Sequence, residues 1–405
     1  MENTLTTTMT TIAERINNLS ESETLAMARL SRQLKDQGYD VINLSLGEPD
    51  FNTPDHIKQA AKDAIDQNVT FYPPVCGFPQ LRDAICRKFK RENNLDFKPE
   101  NILVSTGAKQ SIANIVMSIL DPGDEVIIPA PYWVSYKEVI KLAEAKPIYV
   151  TAGIENDFKI TPVQLEKAIT AKTKLFIFSS PCNPTGSVYS KAELKALANV
   201  FALHEQVYIL SDEIYEHINF GGVHESIAQF ENIRNRVIIV NGVSKSFAMT
   251  GWRIGYMAAP QKITEACNKL QGQITSGACS IAQKAAVAAL NGDLSSVKTM
   301  LKAFHERRDL VVKLLNEIPG MKTNTPQGAF YVFPDVTYYY GKTDGKVTIK
   351  GAPDLCDYIL NKVFVAIVPG NAFGDPNCIR LSYATSKELL TEAISRVKKA
   401  LADLY

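Results

Sequence analysis

The strongest constraint on this 405-residue chain is an alternation that runs from Ile102 to Val240. Short apolar runs, many of them β-branched, recur at Ile102–Val104, Glu125–Ile128, Pro147–Val150, Leu175–Ser179, Val207–Leu210 and Val237–Val240. Between them lie loops rich in Gly, Pro, Asn and Asp and segments of helical period, two of which end near Leu120 and Glu144 and two of which span 162–169 and 191–204. Strand, loop and helix in that rhythm predict an α/β fold with a mostly parallel sheet between helices. In such sheets the ligand sits outside the carboxyl ends of the strands. The residues to weigh for chemistry are therefore those that follow each run.

The alternation ends at Pro260. Long helices are expected over 262–290 and 294–318. Short strands follow at 329–333, 365–368 and 378–383, with helices at 353–361 and from Lys387. This reads as a smaller α+β lobe, joined by an N-terminal segment. That segment holds an amphipathic helix over 12–37, interrupted at Ser22–Thr24, and a strand over 41–46. Tyr338–Tyr340 reads as a surface excursion. Length alone favours two domains, since domains run ~100–200 residues.

Composition removes several function classes. Net charge is +1 and no Lys/Arg block occurs, so neither nucleic acid nor a membrane surface is expected as a partner. The N-terminus carries acids and no apolar core of a leader, and no run approaches the ~18 apolar residues of a span. The seven cysteines are scattered with no CxxC, which favours reduced thiols and a cytoplasmic setting. The five histidines have no metal-ligand spacing, so no metal is expected. His204 and His217 read as local hydrogen-bonders, and Cys76 and Cys182 as packing residues.

The residues after the strands are unusual as a set. Lys245 follows the Val237–Val240 run, where a walled-off amine loses part of its proton affinity and becomes nucleophilic. Arg253 offers a planar fork for a phosphate. Gly107-Ala108-Lys109 opens a helix, where small residues let backbone N–H groups approach an anion. Trp133 is a flat ring for stacking, or a core aromatic. Asn183 sits between two prolines in PCNPTG. Asp212, followed by Tyr215, is a carboxylate for a ring nitrogen, or a helix N-cap for Glu213 onward. Lys245 taken alone is an ordinary surface lysine. Together the residues match what pyridoxal phosphate (PLP) needs: an amine, a carboxylate, donors to the ring hydroxyl, an anion cup and a stacking wall.

With these residues in view, the chain resembles the class I aminotransferases of fold type I, and within them the bacterial aspartate aminotransferases of the I-beta subgroup. The motifs that carry the likeness are LGEPDF (46–51), FYPPVCGFPQLR (71–82), PYWVSY (131–136), SPCNPTG (180–186), SDEIYE (211–216), SKSFAMTGWRIGY (244–256), GAFYV (328–332) and RLSYATS (380–386). The resemblance implies a seven-stranded sheet in a large domain over 46–290. It also implies a small domain built from 291–405 and the segment 1–45. The activity implied is transamination through an internal aldimine on Lys245, with Asp212 and Tyr215 also catalytic. Aspartate and 2-oxoglutarate are the implied substrates; aromatic or alanine preference, or a β-lyase, are the alternatives. A regulator without turnover is disfavoured by the intact Lys245, Asp212 and Arg380. A nicotinamide dehydrogenase is disfavoured because no GxGxxG follows the first strand.

Further roles come only from the likeness. Arg380, otherwise an ordinary strand-edge arginine, is implied to grip the substrate α-carboxylate. Gly47 is implied to approach the substrate, and Trp133 and Asn183 to contact it. Lys109 is implied to meet its distal carboxylate. Tyr72 is implied to reach the cofactor phosphate of a neighbouring subunit, which means a homodimer with shared sites. One departure stands out: where many relatives carry a basic residue, this chain reads Ser20-Glu21-Ser22-Glu23-Thr24. That puts transamination of prephenate in doubt, and an inward Glu21 or Glu23 would repel an acidic substrate.

Overall fold

The computed structural model describes residues 12–405. The first eleven residues, on which most of the reading of a missing leader falls, lie outside them. The larger sheet has seven strands: β1 Ile102–Ser105, β2 Glu125–Ala130, β3 Lys146–Thr151, β4 Thr173–Ser179, β5 Tyr208–Asp212, β6 Val237–Gly242 and β7 Gly255–Ala258. Their order across the sheet is β1-β7-β6-β5-β4-β2-β3. Only the pairings of β7 with β1 and β6 are antiparallel. The others are parallel, which confirms the alternation read from sequence.

The sheet is covered on both faces away from its edge strand β3, so its inner strands are largely apolar, whereas β3 is mostly exposed or half-buried. In β6, Val237 and Ile239 join the core on one face, while Ile238 and Val240 join the core on the other. Alternate side chains of a strand point to opposite faces, and a strand buried twice must be apolar at every position. The register places Ser179, Asp212 and Val240 side by side at the carboxyl edge.

A second sheet pairs β8 Tyr331–Val332, β9 Val368–Pro369 and β10 Ile379–Ser382 in the order β9-β10-β8. Its core draws on residues 300–404 and also takes in Met27, Val41, Ile42 and Leu44 from the N-terminal segment. Among the described residues, no helix is long and apolar enough to cross a membrane.

Several expectations need correction. The helix expected over 262–290 is two, Gln261–Ile274 and Ser280–Asn291. The break contains Ser276 at a φ of +58° and Gly277, where a Cβ would sit 2.8 Å from Pro73 Cγ and from the Pro74 carbonyl. The strand expected over 41–46 pairs only at Ile42–Asn43, because the Asn43 side chain takes the Ser45 N–H at 2.9 Å. The interruption of the N-terminal helix lies before Glu23, so Glu23 and Thr24 are helical. No helix follows Asp212, so its N-cap alternative falls away. β7 was not anticipated: its GYMA sequence has no β-branched residue. The Tyr338–Tyr340 excursion is only partly on the surface. Tyr338 is exposed, but Tyr339 is buried with its hydroxyl donating to the Pro319 carbonyl.

Phe176 of β4 is fully buried between Phe178 and Phe201, with ring centroids 5.3 and 5.1 Å away. Phe176→Ala should lower unfolding stability by about 3–5 kcal/mol. The check is a lower denaturant midpoint with an unchanged slope.

Candidate active site

One cavity of about 260 Å³ opens at the carboxyl edge of the larger sheet. It is lined by Gly47, Ala108, Lys109, Trp133, Asn183, Asp212, Tyr215, Lys245, Arg253 and Arg380. Gly107 stands directly behind Ala108. Its φ of +82° is one that residues with a side chain rarely adopt, and a Cβ there would meet the Arg253 guanidinium. The helix Ala108–Ile119 starts at this point, so its first N–H groups face the cavity mouth beside Arg253. Gly255 is needed for closeness: a Cβ on it would strike the Ala108 nitrogen. Tyr72 is the one expected site residue that the chain does not bring here; its side chain is 96% exposed.

Asp212 is buried at the end of β5. Tyr136 donates to its Oδ2 at 2.8 Å, and the Ile214 N–H reaches its Oδ1 at 3.3 Å. Burial pushes its carboxyl up to about 6, with these two hydrogen bonds opposing the rise. Burial also holds the Tyr136 phenol far above its ordinary range, so it remains a donor.

Lys245 donates from Nζ to the Gly47 carbonyl. Burial lowers its amine to about 8, with Arg380 and Arg253 pushing the same way and Glu48 opposing. Arg380 is 2% exposed and lies over the rings of Tyr331 and Phe373, at 4.6 and 4.8 Å. One terminal nitrogen donates to Asn183 Oδ1 at 3.0 Å and the other to the Ser45 carbonyl at 2.5 Å. Its Nε has no protein partner among the described residues. A buried guanidinium with a donor to spare and no carboxylate beside it is built for an incoming anion.

Lys109 lies over the Trp133 ring at 5.1 Å. Burial of its ammonium and the nearby Arg253 charge both lower its pKa. Glu21 pairs with Arg29 at 2.8 Å and, outside the cavity itself, lines a neighbouring chamber. Glu23 faces the same chamber, of about 280 Å³, which shares Ser22, Lys109, Val134 and Ser135 with the cavity. The Cys182 thiol is pushed up by burial, which suits a packing role.

Two lining tyrosines, Tyr136 and Tyr331, escaped sequence reasoning. Tyr136 is the last residue of PYWVSY, in the helix Ser135–Leu142 that follows β2, and only the strand order, with β4 alone between β2 and β5, brings it to Asp212. Tyr331 lies in GAFYV; its hydroxyl meets that of Tyr215 at 2.7 Å, and a Cβ on Gly47 would sit 2.8 Å from it.

The shifted amine predicts a reactivity. In cofactor-free protein treated with a small acylating reagent, labelling of Lys245 should rise with pH around a midpoint near 8. A solvated lysine would instead titrate near ~10.4. Peptide mass spectrometry against pH reads the difference.

Comparison with known proteins now bears on this geometry. The family "Aminotransferase class I and II" matches residues 39–397. An aspartate/prephenate aminotransferase of Cereibacter sphaeroides is 48% identical over 399 residues, which is 98% of this chain and 100% of that protein. The crystal structure of an aspartate aminotransferase from Rhizobium meliloti superposes with a TM-score of 0.95 at 44% identity, covering 98% of this chain and 100% of that one. The aspartate aminotransferase of Thermus thermophilus with maleate gives 0.91 at 39% identity, covering 97% and 100%. A match over most of the length, at these identities and with this fold, leaves one assignment: the chain belongs to the class I and II aminotransferases, a family that uses pyridoxal phosphate.

Proposed function

We propose that this protein is an aspartate:2-oxoglutarate aminotransferase with Lys245 as its cofactor-bearing lysine. The observation that carries the reading is the triplet in one cavity of a buried amine lowered to about 8, a buried carboxyl, and a buried guanidinium with a free donor. The donor set fits pyridoxal phosphate. Asp212 would hold the ring nitrogen, Asn183 and Tyr215 the ring hydroxyl, and Trp133 would form the wall. Arg253 with the Gly107-Ala108 amides would form the phosphate cup.

When bound, the cofactor supplies an electron sink for the carbanion left at the substrate Cα. The protein's own groups do the rest. Arg380 grips the α-carboxylate and fixes which Cα bond faces Lys245. The Lys245 amine, lowered toward neutrality, would take the Cα proton as base and return it as acid at the cofactor's former aldehyde carbon. Asp212 keeps a proton on the ring nitrogen, and Tyr136 orients Asp212. Trp133 and the wall around it limit water. The substrate leaves as an oxoacid, and a second oxoacid recovers the amine in a ping-pong cycle.

The choice of a dicarboxylate rests on Lys109. Burying a second carboxylate requires a cation, and Arg380 serves the first. The relatives above are named for aspartate, and one binds maleate, itself a dicarboxylate. Lys109→Ser should lower kcat/KM for aspartate and 2-oxoglutarate by on the order of 2–5 kcal/mol and leave alanine little changed. Equal losses for both donors would overturn the role. The chamber next to Lys109 gives room for a bulkier acceptor, but Glu21, Glu23 and Glu138 line it and oppose an acidic one against Lys109 and Lys137, so a donor–acceptor panel should include prephenate, for which the Cereibacter relative is also named. Borohydride reduction of the holoenzyme followed by peptide mapping should tag Lys245 and no other lysine.

We infer the same two-part division as the resemblance implies, 46–290 against 291–405 with 1–45. It is supported by the core that residues 27–44 share with 300–404. A homodimer is supported by Phe71 and Tyr72, adjacent aromatics that are 82% and 96% exposed. In that dimer Tyr72 reaches the partner's cofactor phosphate. Tyr72→Phe, once found impaired alone, should regain activity when mixed and exchanged with Lys245→Ala, because one site per heterodimer carries neither change. No recovery after verified exchange would mean that the sites are not shared.

A further inference from the structure

The turn that carries Lys245 is held loosely by its own backbone. The bonds Phe247 N–H to Val243 O, Ala248 N–H to Lys245 O and Val243 N–H to Ile254 O span 3.3, 3.5 and 3.3 Å. All lie beyond the usual 2.7–3.2 Å range. Met249 N–H to Ser244 O is shorter at 3.0 Å, and Thr53 donates to the Ala248 carbonyl at 2.7 Å. A lysine stem is flexible, so the places its amine can reach depend on how its backbone is fixed.

Ser246, the next residue, ties the turn from beneath. It is 2% exposed, and its hydroxyl lies 2.9 Å from Nδ1 of His217. The other ring nitrogen, Nε2, lies 2.9 Å from Glu92 Oε2. A carboxylate only accepts, so Nε2 carries a proton; Nδ1, which also lies 3.7 Å from Glu216 Oε1, accepts from Ser246 in the neutral ring and donates to it in the charged ring, so the contact is kept in either state. Glu92 is itself fixed, with Lys88 Nζ at 3.6 Å. That ammonium also donates to Asn93 Oδ1 at 2.8 Å and pairs with Glu216. Glu216 in turn accepts from Asn241 of β6 at 2.8 Å. Burial alone would raise the Glu92 carboxyl, but His217 and Lys88 reverse this and hold it below its ordinary value. None of these groups lines the cavity.

We propose that Glu92–His217–Ser246 is a positioning chain that holds the backbone of Lys245 for proton transfer. It joins three segments: the π-helical turn Phe89–Asn93, the stretch after Asp212, and the Lys245 turn. The proposal rests on the reading of Lys245 as the cofactor lysine, and its test keeps the two apart.

Ser246→Ala should lower kcat on the order of 10-fold, within the ~10²-fold that a misplacement of ~1 Å costs. KM for the amino donor and cofactor affinity should stay within about twofold, as expected for an interaction used only in the chemical step. In the cofactor-free variant, amide hydrogen exchange should quicken at 243–249 and nowhere else. His217→Gln keeps a polar atom toward Glu92 but not toward Ser246, and should match Ser246→Ala. His217→Asn keeps one toward Ser246 and should recover most of the rate. Wild-type kcat and exchange in Ser246→Ala, with borohydride still tagging Lys245, would overturn the positioning chain and leave the lysine assignment intact. A tag on another lysine would overturn both. A loss of rate matched by chain-wide faster exchange or by loss of cofactor would mean a merely structural contact, and would also overturn it.

Discussion

The site depends on one constraint: six strands of the larger sheet run in the same sense, and the sheet is buried on both faces away from its edge strand β3. Parallel neighbours cannot be joined by tight hairpins, so each must be linked by a crossover, here mostly helical. Every crossover starts from the same edge. Ser179, Asp212 and Val240 therefore stand in register, and the segments that follow them deliver Asn183, Tyr215 and Lys245 to one place. The antiparallel β7 closes the arrangement by laying Gly255 against the start of the helix at Ala108.

Placing charge at that edge is costly, and the chain meets the cost in two ways. In the cavity, burial moves Asp212 up and Lys245 down, toward each other and toward neutrality. Such opposed shifts divide acid and base roles between two groups. Beneath the cavity, charge is kept and paired. Glu216 is held at about 2 despite burial because Lys88, with His217 and His224, surrounds it. Burial alone would lower the His224 ring, but Glu213, with Nε2 to Oε2 at 3.0 Å, and Glu216 hold it above its ordinary value. Removing one partner from such a cluster strands the other, which makes it rigid by necessity. The cation position among Glu92, Glu216 and His217 is taken by the Lys88 ammonium.

Much of this was legible without coordinates because it is local. The apolar runs mark strands that are buried twice. Thr161 and Ser190 cap the helices that follow them, their hydroxyls accepting from the Gln164 and Glu193 N–H groups while those two side chains accept from the Thr161 and Ser190 N–H groups. The residues after the strands could be weighed one by one, because a parallel sheet has only one edge at which to gather them. His204 and His217 proved to be hydrogen-bonded, to Glu166 and to Ser246 with Glu92. What misled was equally local. The helix expected across 275–279 is broken there, with Ser276 at a φ of +58° and Gly277 packed close to Pro73 and Pro74.

The sequence by itself determined the sheet's direction of travel, the edge at which chemistry would occur, and the residue types available there. These follow from periodicity and from the handful of side chains that can act as amine, carboxylate or anion clamp. Only the tertiary structure decided who touches whom. Tyr136 reaches Asp212 across 76 positions of chain, Asn183 reaches Arg380 across 197, and Gly47 reaches Lys245 across 198. Such pairings depend on strand order and register, which no single stretch of residues encodes. The same holds for the pKa shifts, because burial is a property of the assembled walls and not of any one residue that forms them.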